Sequence, residues 1–252
     1  MIRVCAGGRE LTAAAFVFDK DGLMFESQRF WQELVDGRLI LFSETEDEGF
    51  LSEWCRVLGV TRREDGRAAW IDPKGIFAVA SVPQEMAVTA ALIVQRRGIP
   101  WAEAYGITAR AFQEADRNLD LSRALQPRKG FPEILRRLRE QAIPYGIATS
   151  DTLSRALVSL RMFDDPEGPA FILTPADVDR GKPAPDMLLK AAERLDMPPE
   201  DIIMVGDSYV DMEMAAQAGS SFIGVPETEE MRRRMAARGA VIVEDLDEIV
   251  IL

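Results

Sequence analysis

The segment FVFDKDGLMFES, residues 16–27, runs an apolar stretch directly into two aspartates, Asp19 and Asp21, with one lysine between them. Comparable polar groups follow other apolar runs: Thr149 and Ser150 after YGIA, and Asp207 and Ser208 after IIMVG, with Asp211 shortly beyond. Lys182 lies in the loop DRGKPAPD, after the apolar run AFIL. Carboxylates so placed can attack as nucleophiles, move protons or hold a hard cation, while a hydroxyl and an ammonium can hold an anion. The chain contains no histidine, which excludes a triad with an imidazole base and any histidine metal site. Acid and base work falls to carboxylates, with lysine the next candidate.

Each group also has an ordinary structural use. An Asp-x-Asp after a strand can be a turn or a helix cap, Thr149 or Asp151 can cap the next helix, and GDSYVD can be a capped turn. Lys182 can be a solvated loop lysine, with Pro183 or Pro185 opening a helix. The combination argues otherwise, because those uses would have to coincide on four strand ends. In an open parallel sheet, ligands bind beyond the carboxyl ends of the strands, so neighbouring strands would gather these groups into one cluster. Asp19, Asp21, Asp207 and Asp211 brought together would repel one another unless protonated or neutralised. A hard divalent cation answers this, and Mg2+ suits a few carboxylate oxygens with open positions for water and a phosphate oxygen. Lys182 supplies the second positive charge.

The elements that must position these groups are legible in the hydrophobic pattern. From residue 131 onward amphipathic helical runs alternate with short apolar runs, and AAAFVF supplies one more buried strand ahead of Asp19. Such alternation predicts an α/β fold, a doubly wound parallel sheet with a Rossmann-like core. Between the strand before Asp19 and the returning core the pattern is mostly helical, with GIFAVAS readable as strand or buried loop. The expected division is a core of residues 1–25 and 126–252 with a helical cap of residues 26–125. IRVCAGGREL reads as an edge hairpin turning at Gly7 and Gly8.

Composition narrows the partners. The chain has 252 residues, 47% of them hydrophobic, and 42 acidic against 30 basic residues give a formal net charge of −12. Nucleic acid and an anionic membrane surface are therefore not expected as partners. Two cysteines, Cys5 and Cys55, are too few for a disulfide framework and suit a reducing compartment. No apolar run has signal-peptide or membrane-spanning form, so a cytoplasmic monomer or homodimer acting on a small molecule is expected.

FDKDGLMFES, IATSD, GKPAPDML and VGDSYVDMEMAAQAG resemble, in that order, the four motifs of the haloacid dehalogenase-like superfamily. The resemblance is to the branch containing phosphoglycolate phosphatase and beta-phosphoglucomutase, in which a helical cap follows the first motif and moves to close the site. It implies that Asp19 is the nucleophile that forms an aspartyl phosphate, and that Asp21 is the general acid and base. It also implies Thr149 and Lys182 as phosphate-binding groups. The implied Mg2+ ligands are Asp19, the Asp21 backbone carbonyl and Asp207, with Asp211 and Ser208 orienting them. An acid at position 21 separates this chain from the dehalogenase branch, and from the transport ATPases, where a threonine stands there.

The expected activity is a Mg2+-dependent phosphatase acting on a small phosphorylated metabolite, with a phosphomutase as the alternative. A receiver-like phospho-aspartate module is a third reading, disfavoured because receivers carry the phosphoacceptor after the third strand and lack a large insertion. Leu23 and Glu26 depart from the commonest motif without touching an implied ligand position. Strand-like alternation would turn Lys20 away from the pocket, which gives it no role. Arg29, Arg38, Arg96, Arg97 and Arg110 are the cap arginines that could meet a substrate anion, while Trp70 and Phe77 are expected to pack.

Overall fold

The computed structural model describes residues 1–163 and 168–252. The chain begins with the hairpin β1 (Ile2–Ala6) and β2 (Arg9–Ala13) and enters the strand β3 (Ala15–Phe18). Six helices and a second hairpin follow: α1 (Ser27–Ser43), α2 (Glu48–Leu58), β4 (Val60–Arg62), β5 (Ala68–Ile71), α3 (Ile76–Val79), α4 (Val82–Arg97), α5 (Trp101–Asn118) and α6 (Leu121–Ala124). The chain then alternates through α7 (Glu133–Glu140), β6 (Tyr145–Ala148), α8 (Leu153–Arg161), β7 (Ile172–Leu173), α9 (Asp186–Leu195) and β8 (Ile202–Gly206). It ends with α10 (Tyr209–Ala218), β9 (Ser221–Gly224), α11 (Glu229–Ala236), β10 (Val241–Ile242) and β11 (Val250–Ile251). Two compact units result: Met1–Glu26 with Pro127–Leu252, and Ser27–Gln126.

In the first unit the main sheet has the order β10-β9-β8-β3-β6-β7, and every pairing is parallel. All residues of β3, β6 and β8 are buried, as a sheet flanked by helices requires. α9 contributes Met187, Leu188, Ala191 and Ala192 to the core and α10 contributes Met214 and Ala215, packed with Val17, Ala148 and Met204 of the sheet. From β3 the chain builds outward to β6 and β7, then returns to β3's other side for β8, β9 and β10. The switch point therefore falls between β3 and β8. Phe18 pairs with both Val205 and Ile147, so the residues following β3, β8 and β6 emerge side by side.

The expected N-terminal hairpin forms, turning on Gly7 at φ 52° and Gly8 at φ 71°. It belongs to a separate antiparallel sheet, β11-β1-β2, not to the edge of the main one. Its closing strand, β11, is only two residues long, too short to stand out as a hydrophobic pattern.

The second unit is helical apart from the β4–β5 hairpin, which the sequence pattern did not announce because β4 carries one buried residue among three. GIFAVAS folds largely as the short helix α3, neither strand nor loop. α2 is capped at both ends: Asp47 accepts from the Phe50 amide and Gly59 takes φ 82°. The interior holds Trp54, whose Nε1 donates to Thr89 Oγ1 at 3.0 Å, and a buried ion pair of Arg38 with Glu85 at 2.5 Å. The Arg38 guanidinium lies 3.8 Å from the centroid of the Phe112 ring. Phe77 is buried as expected, whereas Trp70, also expected to pack, is exposed. Among the described residues no helix is long and apolar enough to cross a membrane.

Candidate active site

Asp19 follows β3 and is 7% exposed; its amide donates to Val205 O of β8 at 2.9 Å, which fixes the backbone at the switch point. Asp207 follows β8 and is half-buried. Ser208 then caps α10: its Oγ donates to Asp211 Oδ2 at 2.5 Å, while its amide donates to the same oxygen at 3.2 Å. The capping reading of this turn is thus correct for Ser208, and it places the Asp211 carboxylate, 1% exposed, against the strand end. Gly206 makes that approach feasible, because a Cβ there would lie 2.6 Å from Asp211 Cβ.

Lys182 reaches the same place from the loop between β7 and α9. Its side chain is 3% exposed, and Nζ donates to Asp19 Oδ1 at 2.5 Å and to Asp211 Oδ1 at 2.6 Å. Gln217 of α10 donates to Pro183 O at 3.0 Å and holds this loop against the helix. Carboxylate oxygens of Asp19, Asp207 and Asp211 lie within 4.8 Å of one another.

Burial dominates the electrostatics here. It pushes the Asp19 carboxyl up to about 7; Lys182 works to lower it, and the Asp211 and Asp21 charges add to the rise. Asp207 is likewise held well above the ordinary carboxyl range, first by burial and then by Asp19 and Asp211. Burial works against the charge on Lys182, but Asp19 and Asp211 outweigh it and hold the ammonium firmly protonated.

Thr149, fully buried, follows β6; its amide donates to Leu173 O at 3.0 Å and its Oγ1 accepts from the Asp151 amide at 3.0 Å. Neither Thr149 nor Asp151 caps α8: Thr152 does, accepting from the Arg155 amide. Arg128 Nη1 donates to Gly22 O and, at 2.9 Å, to Val225 O, tying the loop after β3 to the residues after β9.

Asp21 departs from the cluster, since its carboxylate bonds Lys20 Nζ at 2.5 Å. Lys20 is fully buried and its ammonium bonds Asp21. Lys20 also pairs with Asp151 at 3.1 Å, and Asp151 with Arg155 at 2.8 Å. Sequence reasoning missed this chain of ions. The signal available was a lysine between two aspartates directly after a wholly apolar strand, where a charge must find a partner.

The insertion's arginines are largely committed within their own unit. Arg29 pairs with Glu33, Arg38 with Glu85, Arg96 with Asp47 and Arg97 with Glu46; Arg110 is exposed.

A parallel sheet with buried carboxylates and an ammonium converging at its switch point is the arrangement of a Rossmann-like enzyme. The profile of the haloacid dehalogenase-like hydrolases matches residues 13–219, and the chain belongs to that family. Pyrophosphatase PpaX of Bacillus cereus is 32% identical over 105 residues, 42% of this chain and 49% of the relative. N-acetylmuramic acid 6-phosphate phosphatase of Pseudomonas aeruginosa is 27% identical over 100 residues, 40% of this chain and 44% of the relative. The chain thus spans less than half the length of these curated relatives. Among solved structures, a HAD family hydrolase from Deinococcus radiodurans with bound phosphate and sodium superposes with a TM-score of 0.56. It shares 23% identity, over 92% of this chain and 90% of its own.

Proposed function

We propose that the protein is a divalent-cation-dependent phosphatase that hydrolyses a small phosphorylated metabolite through a phosphoryl group carried on Asp19. The observation that carries this reading is Lys182, buried and bonded to both Asp19 and Asp211 at the switch point. An ammonium so placed can neutralise a nucleophilic carboxylate and the phosphoryl oxygens that approach it. The names of the relatives, a pyrophosphatase and a sugar-phosphate phosphatase, and the phosphate bound in the Deinococcus protein point the same way.

The site fits a hard cation, since its candidate donors are oxygens only and the carboxylates of Asp19, Asp207 and Asp211 cluster within 4.8 Å. Both Asp211 oxygens are engaged, one by Lys182 and the other by Ser208, so Asp19 and Asp207 with the Asp21 backbone carbonyl would hold Mg2+. Bound there, the ion would supply charge neutralisation for the transferred phosphoryl group.

In the first half-reaction an Asp19 oxygen attacks phosphorus, the bond from phosphorus to the leaving oxygen breaks, and Asp21 gives that oxygen its proton. In the second, Asp21 takes a proton from water as the water oxygen attacks phosphorus; the Asp19–phosphorus bond breaks and inorganic phosphate leaves. Thr149 contributes a hydroxyl to a phosphoryl oxygen. Substrate choice is assigned to the Ser27–Gln126 unit.

The test is phosphate release from a panel of small phosphomonoesters, with Mg2+ or with chelator, for the wild type and Asp19→Asn. Metal-dependent turnover abolished by the substitution is the expected result. Metal-dependent turnover that survives Asp19→Asn would overturn the assignment of the nucleophile, and folded wild-type protein that releases phosphate from no member would overturn the reading.

A further inference from the structure

We infer that Lys20 is a positioning residue whose ammonium, anchored on Asp151, holds the Asp21 carboxylate in place for the proton transfers at Asp19. The inference rests on the assignment of Asp21 as the proton-moving group. It starts from burial: a lysine with no exposed surface is uncommon, because desolvating an ammonium is costly, and the fold alone would be served as well by an apolar side chain of the same length. What the lysine adds is a directed charge.

Three sides of the ammonium are defined. Asp21 Oδ1 lies at 2.5 Å and Asp151 Oδ2 at 3.1 Å. The Phe25 ring centroid stands 6.0 Å away, itself packed against Phe131 at 5.0 Å and Phe163 at 5.1 Å. Asp151 is fixed in turn, its Oδ1 accepting from the Thr152 amide at 2.7 Å and lying 2.8 Å from Arg155 Nε. Asp151 also donates its amide to Thr149 Oγ1 at 3.0 Å. The ion chain Arg155, Asp151, Lys20, Asp21 therefore links the loop after β6 to the loop after β3 and sets two of the proposed working groups, Thr149 and Asp21, relative to each other.

Lys20 approaches Asp21 from the buried side and engages Oδ1. The Asp21 side chain nevertheless keeps 27% exposure. Without the ammonium the carboxylate can rotate about its own side-chain bonds, and a catalytic group misplaced by about 1 Å typically costs on the order of 10²-fold in rate.

The experiment uses p-nitrophenyl phosphate, whose leaving group departs without a proton, so that the first half-reaction does not need Asp21 but the second does. Lys20→Met is expected to give a burst of p-nitrophenolate, then steady turnover about 10²-fold below wild type, with the phosphorylated chain accumulating in intact-mass spectra. Asp21→Asn serves as the reference and is expected to show the same signature. If Asp21→Asn bursts but Lys20→Met turns over like the wild type, the proposal is overturned and the Asp21 assignment stands. If neither substitution slows the second half-reaction, the Asp21 assignment fails and takes the proposal with it. A folded Lys20→Met protein that loses burst and turnover alike would show a general structural role, also overturning the proposal. Should Lys20→Met not fold, Asp151→Asn decides: the burst with turnover slower than wild type supports the anchor, and wild-type kinetics refute it.

Discussion

Replacing Gly206 with alanine adds one methyl group at the end of β8 and tests how tightly the site is built. The new Cβ would stand 2.6 Å from Asp211 Cβ and 2.7 Å from its Cγ and Oδ2. Carbon atoms in contact prefer about 3.5–4.0 Å, so Asp211 must retreat by roughly 1 Å. Its bond from Lys182, now 2.6 Å, would stretch beyond hydrogen-bond range, and the ammonium facing Asp19 would lose one of its two anchors. A shift of that size at a charge-neutralising group is expected to lower kcat/KM by about 10²-fold, which is close to 2.7 kcal/mol of transition-state stabilisation. Overpacking should also cost stability, on the order of 1–3 kcal/mol, which a urea titration separates from the kinetic effect. Gly181→Ala is the control: it lies next to Lys182, yet a Cβ there meets no atom within 4 Å, so turnover should stay at the wild-type level. Phosphate release by Gly206→Ala at the wild-type rate, from folded protein, would refute the argument that Asp211 and Lys182 act as one unit.

In the Ser27–Gln126 unit, Glu85→Ala leaves the buried Arg38 charge without its 2.5 Å partner, and urea unfolding should show a loss of about 3–5 kcal/mol. The double substitution Arg38→Met with Glu85→Leu should recover most of it, and a Glu85→Ala protein of unchanged midpoint would contradict the account. In chelator, thermal stability should fall as pH rises from 5 to 7.5. Asp19, lifted by burial to about 7 from 3.8, binds its proton more tightly folded than unfolded, so its contribution is complete below the unfolded value and is lost as pH passes the folded one. Asp207 is raised in the same direction, whereas a carboxyl held low, such as Asp245 bonded to Lys129, has finished titrating below this window. Mg2+ at about 100 times its dissociation constant should restore about 2.7 kcal/mol at pH 7.5. A melting temperature that rises with pH in chelator would refute the sign.

The sheet was legible because its strands are short, apolar and punctuated. AFVF, YGIA and IIMVG stand between amphipathic helices, and their burial on both faces follows from the absence of any alternation. The elements that escaped lack that contrast. β4 and β5 are only three and four residues long with no clear alternation, and α3 is a single four-residue turn. At the site, position along the chain was enough for Asp19 and Asp207, which directly follow buried parallel strands and so emerge at the sheet's carboxyl edge, whereas Asp211 is brought in by the Ser208 cap of α10 and Lys182 by the loop between β7 and α9. Side-chain direction was not legible. Alternation turns Lys20 away from the pocket, but it does not tell which carboxylates the buried ammonium meets, and these are Asp21 and Asp151.

The two lysines divide the carboxylates between them. Lys182 serves Asp19 and Asp211, Lys20 serves Asp21 and Asp151, and Arg155 is the further cation on Asp151. Asp207 has no cation within ion-pairing distance among the described residues, and its carboxyl, like that of Asp19, is pushed up by burial and by neighbouring negative charge. Fully ionised, these five carboxylates exceed the three cations by two charges before Glu227, which also acts on Asp207, is counted, and the excess is concentrated where Asp207 faces Asp19. A monovalent group would leave one of them uncompensated. The charge balance at this strand end thus suits the proposed divalent cation better than a third lysine, and such an ion would let a chain already carrying a net charge of −12 hold further buried acids there.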